Sequence, residues 1–163
     1  MRIVFSLLLS LLLFLLSAQT VFADVLAGRV IKIADGDTLT IMDSANQQHR
    51  IRLSGIDAPK RFQSCGTLSK AALSALAFNK EVRAECGKRD QYGLEVCKII
   101  VNGTDINLEQ VRAGMAWWDK QYAREQSPAD QAEYEQAEFQ AKIHRLGLWA
   151  DKNPIPPWEW TRK

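Results

Sequence analysis

From residue 25 onward, apolar and polar positions alternate in short runs. "VLAGRVIKIA" (25–34), "LTIM" (39–42) and "HRIRLSGI" (49–56) read as three successive strands. They are joined by "DGDT" and by the polar turn "DSANQQ" (43–48). In the third run Ile51 and Leu53 fall on one face and Arg50 and Arg52 on the other. The period then changes: "TLSKAALSALAFN" (67–79) has helical spacing, which places Leu68, Ala71, Ala72, Ala75 and Leu76 on one side. "EVRAEC" (81–86) and "LEVCKIIV" (94–101) read as a fourth and a fifth strand around the polar loop "GKRDQYG", and Asn102-Gly103 is a turn signal. Thr104 or Asp105 can cap a short helix through "INLEQVRAGM". Ser127-Pro128 opens a last helix ending at Gly147, with Asp130 in the capping-box position and Tyr134, Ala137, Phe139, Ala141 and Ile143 as its apolar contacts. The order β-β-β-α-β-β-α-α predicts an α+β chain: a five-stranded OB-type β-barrel with about three helices.

The ends of the chain do not follow this pattern. Residues 1–23 run from Met1-Arg2 through an apolar stretch to Val21-Phe22-Ala23, the form of a secretory signal cleaved after Ala23. An uncleaved anchor is the alternative, because the apolar run nearly reaches bilayer length. Cleavage leaves 24–150 as the folded domain, with no stable membrane insertion, in a periplasmic or extracellular compartment. Residues 151–163, "DKNPIPPWEWTRK", are too proline-rich for helix and form a tail whose tryptophans can pack back on the body. An oxidising compartment permits a disulfide, and Cys86 with Cys97, on successive strands, is one pairing. Three buried thiols, Cys65 included, are the other reading. With 21 basic and 19 acidic side chains the chain lacks a broad positive field, so any affinity for an anion comes from local placement.

Chemistry concentrates around the third strand. Asp35 and Asp37 sit in the turn between strands one and two, and Asp57 follows strand three. A meander brings Asp37 and Asp57 together, and two converging carboxylates call for a cation between them. Carboxylate oxygens, the Ala58 carbonyl and water suit Ca²⁺. Alternatively, "DGDT" is an ordinary Asp-Gly turn. Arg52, facing away from Ile51 and Leu53, can clamp a phosphate beside such a cation.

"DGDT", Arg52 and "GIDAP" together resemble the first signature of the thermonuclease family, the staphylococcal-nuclease-like secreted phosphodiesterases. "RDQYG" (89–93) resembles the second, and "GLWADKNPIPPWEW" the ending of bacterial members. The resemblance spans residues 25 to about 160. It implies an OB barrel binding Ca²⁺ and hydrolysing DNA or RNA, expected as a monomer on single strands. By the same resemblance Asp37, Asp57 and the Ala58 carbonyl are metal ligands, and Asp35 is an outer-shell acid. Arg52 binds phosphate, and Tyr92 and Tyr122 lie near it. Two positions depart from the family pattern. Lys60 stands where the family has a glutamate that activates water, and Leu94 where it has a second phosphate-binding arginine. A positioned base is worth about 10²–10⁴ in rate and one charge donor about 10²–10³. Strongly impaired hydrolysis is therefore expected. Arg61 could supply a further phosphate contact, though not a base. Lys60 either approaches Asp37 and Asp57, weakening or replacing Ca²⁺, or points into solvent. A non-catalytic OB module for nucleic acid or another phosphorylated ligand is the alternative function, with Trp117, Trp118, Lys120 and Tyr122 as contact groups. A protein-interaction module, using the tail, is a further one.

Overall fold

The computed structural model describes residues 24–161, so the expected leader lies outside the described residues. The strands are β1 (Asp24–Ile33), β2 (Thr38–Met42), β3 (Gln48–Leu53), β4 (Ile56–Asp57), β5 (Glu81–Arg89), β6 (Glu95–Val101), β7 (Thr104–Asp105) and β8 (Trp117–Trp118). The helices are α1 (Gly66–Ala77), α2 (Ile106–Arg112) and α3 (Pro128–Ile143), with 3₁₀ turns at Lys120–Glu125 and Gly147–Ala150.

β1 is long enough to serve two neighbours. Its first part pairs antiparallel with β5, Asp24 opposite Cys86 through Arg29 opposite Glu81. Its second part pairs with β2, and the register slips between Val30 and Lys32. An extra residue there bends the strand and increases its twist, which lets it leave one partner and join another. β2 continues antiparallel to β3, and β5 to β6. β3 then runs parallel to β6, from Ile51 opposite Glu95 to Leu53 opposite Cys97. That ladder closes five strands into the expected OB-type barrel, in the order β1-β2-β3-β6-β5. Val30, Leu39, Ile41, Ile51, Leu53, Ala84 and Ile99 fill its interior and are all but inaccessible. Their period of two along each strand is the pattern visible in the sequence.

Three short strands were not anticipated. β7 returns along β6 through Asn102 (φ 49°) and Gly103 (φ 81°), the two left-handed residues of a tight hairpin. β4 and β8 pair only with each other, Ile56 opposite Trp118 and Asp57 opposite Trp117. Asp57 thus lies on a separate ladder rather than trailing from strand three. Cys86 and Cys97 are directly opposite across β5 and β6 and form a disulfide, leaving Cys65 as the free thiol.

The helices correct the sequence reading in detail. α1 buries Gly66, Ser69, Leu73 and Ala77, while Leu68 is exposed. The buried stripe is therefore rotated from the one expected, because Ser69 Oγ donates to the Met115 carbonyl and is drawn inward. Asp105 caps α2 by accepting from the Leu108 N–H. Ser127 caps α3 through the Asp130 N–H, but the Asp130 carboxylate accepts from Lys98 Nζ (2.7 Å) instead of closing a capping box. α3 stops at Ile143 rather than Gly147, since Arg145 (φ 54°) and Gly147 (φ 52°) turn left-handed. Tyr134, Ala137 and Ala141 are buried as expected, but Phe139 and Ile143 are exposed. In the tail, Pro157 is buried and Trp158 meets Trp117 edge-on, ring centroids 6.4 Å apart.

Two buried amides tie α2 to the barrel. Asn107 accepts from the Ile99 N–H (3.1 Å) and donates to the carbonyls of Ser54 (3.0 Å) and Cys97 (3.1 Å), clasping β3 and β6 where they close. Gln110 Nε2 donates to the carbonyls of Gly36 (2.8 Å) and Ser69 (3.1 Å), joining the β1–β2 loop to α1. Buried polar groups with few alternative partners fix register more firmly than apolar contacts do.

Candidate active site

The loop of residues 34–37 has to pass close to α1, and this is what its glycine permits. A Cβ on Gly36 would stand 1.8 Å from Ser69 Oγ and 2.8 Å from Ala58 Cβ. With Gly36 held by Gln110, Asp37 turns inward. Its carbonyl accepts from the Leu53 N–H (2.8 Å), at the end of β3. The β2–β3 register sets Thr38 opposite Arg52, so Asp37 and Arg52 become neighbours. The β4–β8 ladder brings Asp57 to the same place.

The convergence expected of Asp37 and Asp57 is present. Asp37 Oδ2 accepts from the Ala58 N–H (2.7 Å), and Oδ1 from the Thr38 hydroxyl (2.9 Å). Asp57 Oδ1 accepts from Arg52 Nη2 (3.2 Å) and from Lys60 Nζ (2.8 Å). Asp35 Oδ1 accepts from the Asp37 N–H (3.2 Å), behind the pair. Lys60 therefore does not point away. Its N–H donates to Gln63 Oε1 and its carbonyl accepts from the Gln63 N–H. Gly66 packs so close to that carbonyl that a Cβ would lie 2.2 Å from it. The backbone is pinned on three sides, and the side chain reaches back three residues to Asp57.

Electrostatics divide the acids. Burial works against the Asp37 charge, but the Arg52 guanidinium, the Ala58 N–H and the Lys60 ammonium hold this carboxyl below its usual range. Asp57 goes the other way, since burial outweighs its two cations. Burial, with the Asp37 charge behind it, pushes Asp35 up to about 6. Burial opposes the charge of Arg52, and Asp37, Asp57 and Asp119 outweigh it to hold the guanidinium firmly protonated.

A cleft of about 620 Å³ opens over this cluster. Arg52, Asp57 and Lys60 line its floor, joined by Asp119, which the sequence reading missed. Tyr92 and Tyr122 line its walls, both well exposed. Other residues singled out in the sequence stand elsewhere. Arg61 lies over the Phe62 ring, 5.3 Å from its centre, and is not among the cleft residues. Trp117 and Trp118 are buried in the β4–β8 ladder and offer no stacking face, and Lys120 sits against the Trp118 ring. Leu94 is buried beside the 90–94 turn, where its N–H donates to Asp90. Glu95 points away, towards His49 and Arg89.

Residues 50–151 match the family model described as staphylococcal nuclease homologue. The chain belongs to this family. It is 42% identical over 135 residues to an uncharacterized endonuclease of Haemophilus influenzae, covering 83% of this chain and 72% of that protein. An uncharacterized endonuclease of Escherichia coli O157:H7 is 37% identical over 155 residues, 94% of this chain and 95% of its own length. A protein named micrococcal nuclease, from Shigella flexneri, is 35% identical over 144 residues, 83% of this chain and 80% of that protein.

Within this nuclease family a hard divalent cation is the expected cofactor, and the donor set fits it in kind: Asp37 and Asp57 offer paired carboxylate oxygens. It fits poorly in charge. One oxygen of Asp57 already bears an ammonium and a guanidinium, and both oxygens of Asp37 accept protein hydrogen bonds. The cleft keeps two cations, Arg52 and Lys60, both paired with Asp57, and exposed aromatic rings along its walls.

Proposed function

We propose that this chain is an exported, monomeric member of the nuclease family that binds nucleic-acid phosphates and hydrolyses them only feebly. The observation that carries this reading is Lys60 Nζ, 2.8 Å from Asp57 Oδ1, where a carboxylate base is expected. A protonated amine cannot take a proton from water, and its charge competes with Ca²⁺ for the same oxygens. Bound Ca²⁺ would polarise a phosphate and ease ionisation of water, with Asp37, Asp57 and the Ala58 carbonyl as its ligands. Lys60 weakens that binding while leaving phosphate affinity to itself and Arg52. Among the described residues no helix is long and apolar enough to cross a membrane.

The exposure of Tyr92 and Tyr122 favours a second reading, that of a single-strand binding module without turnover. One experiment separates the two. Cleavage of single-stranded DNA is followed with Ca²⁺ and with chelator, for the natural protein, Lys60→Glu, and Lys60→Glu with Leu94→Arg. Slow Ca²⁺-dependent cleavage by the natural protein, accelerated in the variants, supports an impaired nuclease. Salt-sensitive binding with no cleavage supports the module. Rapid cleavage by the natural protein overturns both.

A further inference from the structure

The cleft has a third aromatic wall, contributed by the tail. Trp158 lines it together with Tyr92 and Tyr122, and the three rings come from three separate segments of the chain. Trp158 is half exposed (50%) although it belongs to a proline-rich stretch with no regular partner strand. The segment is nevertheless held. Pro157 is buried, the Ile155 carbonyl accepts from Gln63 Nε2, and the Trp158 ring meets Trp117 edge-on at 72°. Gln63 is the same residue that pins the Lys60 backbone. Trp117 is opposite Asp57 in the β4–β8 ladder. The tail is thus anchored to the loop that places Lys60 and to the ladder that places Asp57. An edge-on pair takes up at most one face of the indole, and half of the residue stays exposed.

We infer that Trp158 is a nucleobase-stacking platform, which adds to the cleft a subsite for an unpaired base next to the phosphate held by Arg52 and Lys60. This rests on the reading of the cleft as a nucleic-acid site. The occupant follows from the nuclease family, whose substrate is nucleic acid. Arg52, Lys60, Lys88 and Arg89 line the same cleft but are matched in number by Asp57, Asp90, Asp119 and Glu125, so a phosphate is held by local placement, and an indole face takes any base without reading its edge. A base must leave its helix to lie flat on the ring, so the platform selects single strands over duplex.

The test measures binding in chelator, where no cleavage occurs, using fluorescent oligothymidylates of increasing length and a blunt duplex. Natural protein, Trp158→Ala, Trp158→Phe and Arg52→Ala are compared, with thermal unfolding as the control for folding. Trp158→Ala is expected to weaken single-strand binding roughly 5- to 100-fold, with Trp158→Phe much closer to the natural protein and duplex binding little changed. Quenching of tryptophan emission by oligothymidylate should shrink in Trp158→Phe, a readout that holds even if the alanine variant unfolds. If Arg52→Ala abolishes binding while Trp158→Ala and the quenching are unaltered, the platform is wrong and the phosphate site stands. If the natural protein binds no oligothymidylate, the nucleic-acid reading fails and the platform with it.

Discussion

The two sides of the cleft floor are built to different standards. On one side Asp37, Ala58, Gly36 and Gln110 form a buried, interlocked set, in which the Asp37 carboxylate accepts a hydrogen bond on each oxygen. On the other, Lys60 has a side chain 42% exposed, and its ammonium makes a single ion pair with Asp57. The first side serves the fold as well as the chemistry. The second touches little else, so its chemistry can change without the barrel noticing. With the ammonium reaching solvent and Arg52 still paired with the buried Asp57, losing this half-exposed pair costs on the order of 1 kcal/mol. A fold can therefore retain the architecture of a nuclease while the groups that would run the reaction are replaced.

The largest expected effect is on rate. Lys60→Glu should raise Ca²⁺-dependent cleavage by about 10²–10⁴ and, with Ca²⁺ present to offset the added carboxylate, lower the unfolding midpoint by only a few degrees. A gain in rate with a collapse in stability would break the contrast, because it would make Lys60 part of the scaffold. Stability should respond next, on the other side. Asp37→Ala strands the Ala58 N–H and leaves Arg52 less compensated, for a loss of about 2–4 kcal/mol in urea unfolding. Gly36→Ala should follow at about 1–3 kcal/mol, since Ser69 must yield to the new methyl group. If Gly36→Ala proves neutral, the close approach of this loop to α1 is not what fixes Asp37.

Gln110→Leu sharpens the comparison. It removes the amide that holds Gly36 while keeping volume, and should cost about 1–2 kcal/mol. Faster amide exchange at residues 36–38 would show that the effect reaches the site. The smallest effect lies on the barrel away from the clustered acids. Asp43 Oδ2 pairs with His49 Nε2 at 2.9 Å and raises its pKa against burial, with Glu95 adding to it. A raised pKa stabilises the fold fully below the unfolded value near 6.5, and the gain is lost as pH rises through the folded value. Stability should thus fall slightly from mildly acidic pH to just above neutral, by less than about 1 kcal/mol. His49→Gln should flatten that slope without changing oligonucleotide affinity. A slope that survives the substitution would assign it to another group.

Much of this was legible along the chain. Alternation located the barrel strands, and Asn102-Gly103 marked its hairpin. The acids and Arg52 announced themselves as a motif. Less legible were the groups that act by position alone. Asn107 and Gln110 carry a faint signal: two amides spaced three apart, beside the buried Ile106, Leu108 and Val111 of one short helix. Nothing in the spacing of Asp119 or Trp158 marks them as cleft residues. The α1 stripe was misplaced because apolar spacing ignores Ser69, whose hydroxyl finds a backbone carbonyl inside.

The sequence by itself determined where the strands lie along the chain, their hairpin turns and the presence of three acids and an arginine around β2 and β3, because period and turn chemistry are local properties. Only the tertiary structure decided what Lys60 does. Its backbone is pinned by Gln63 and Gly66, and Asp57 is held by a strand some sixty residues further along the chain. Whether a lysine faces water or a carboxylate depends on distances between segments, and these exist only once the chain has folded.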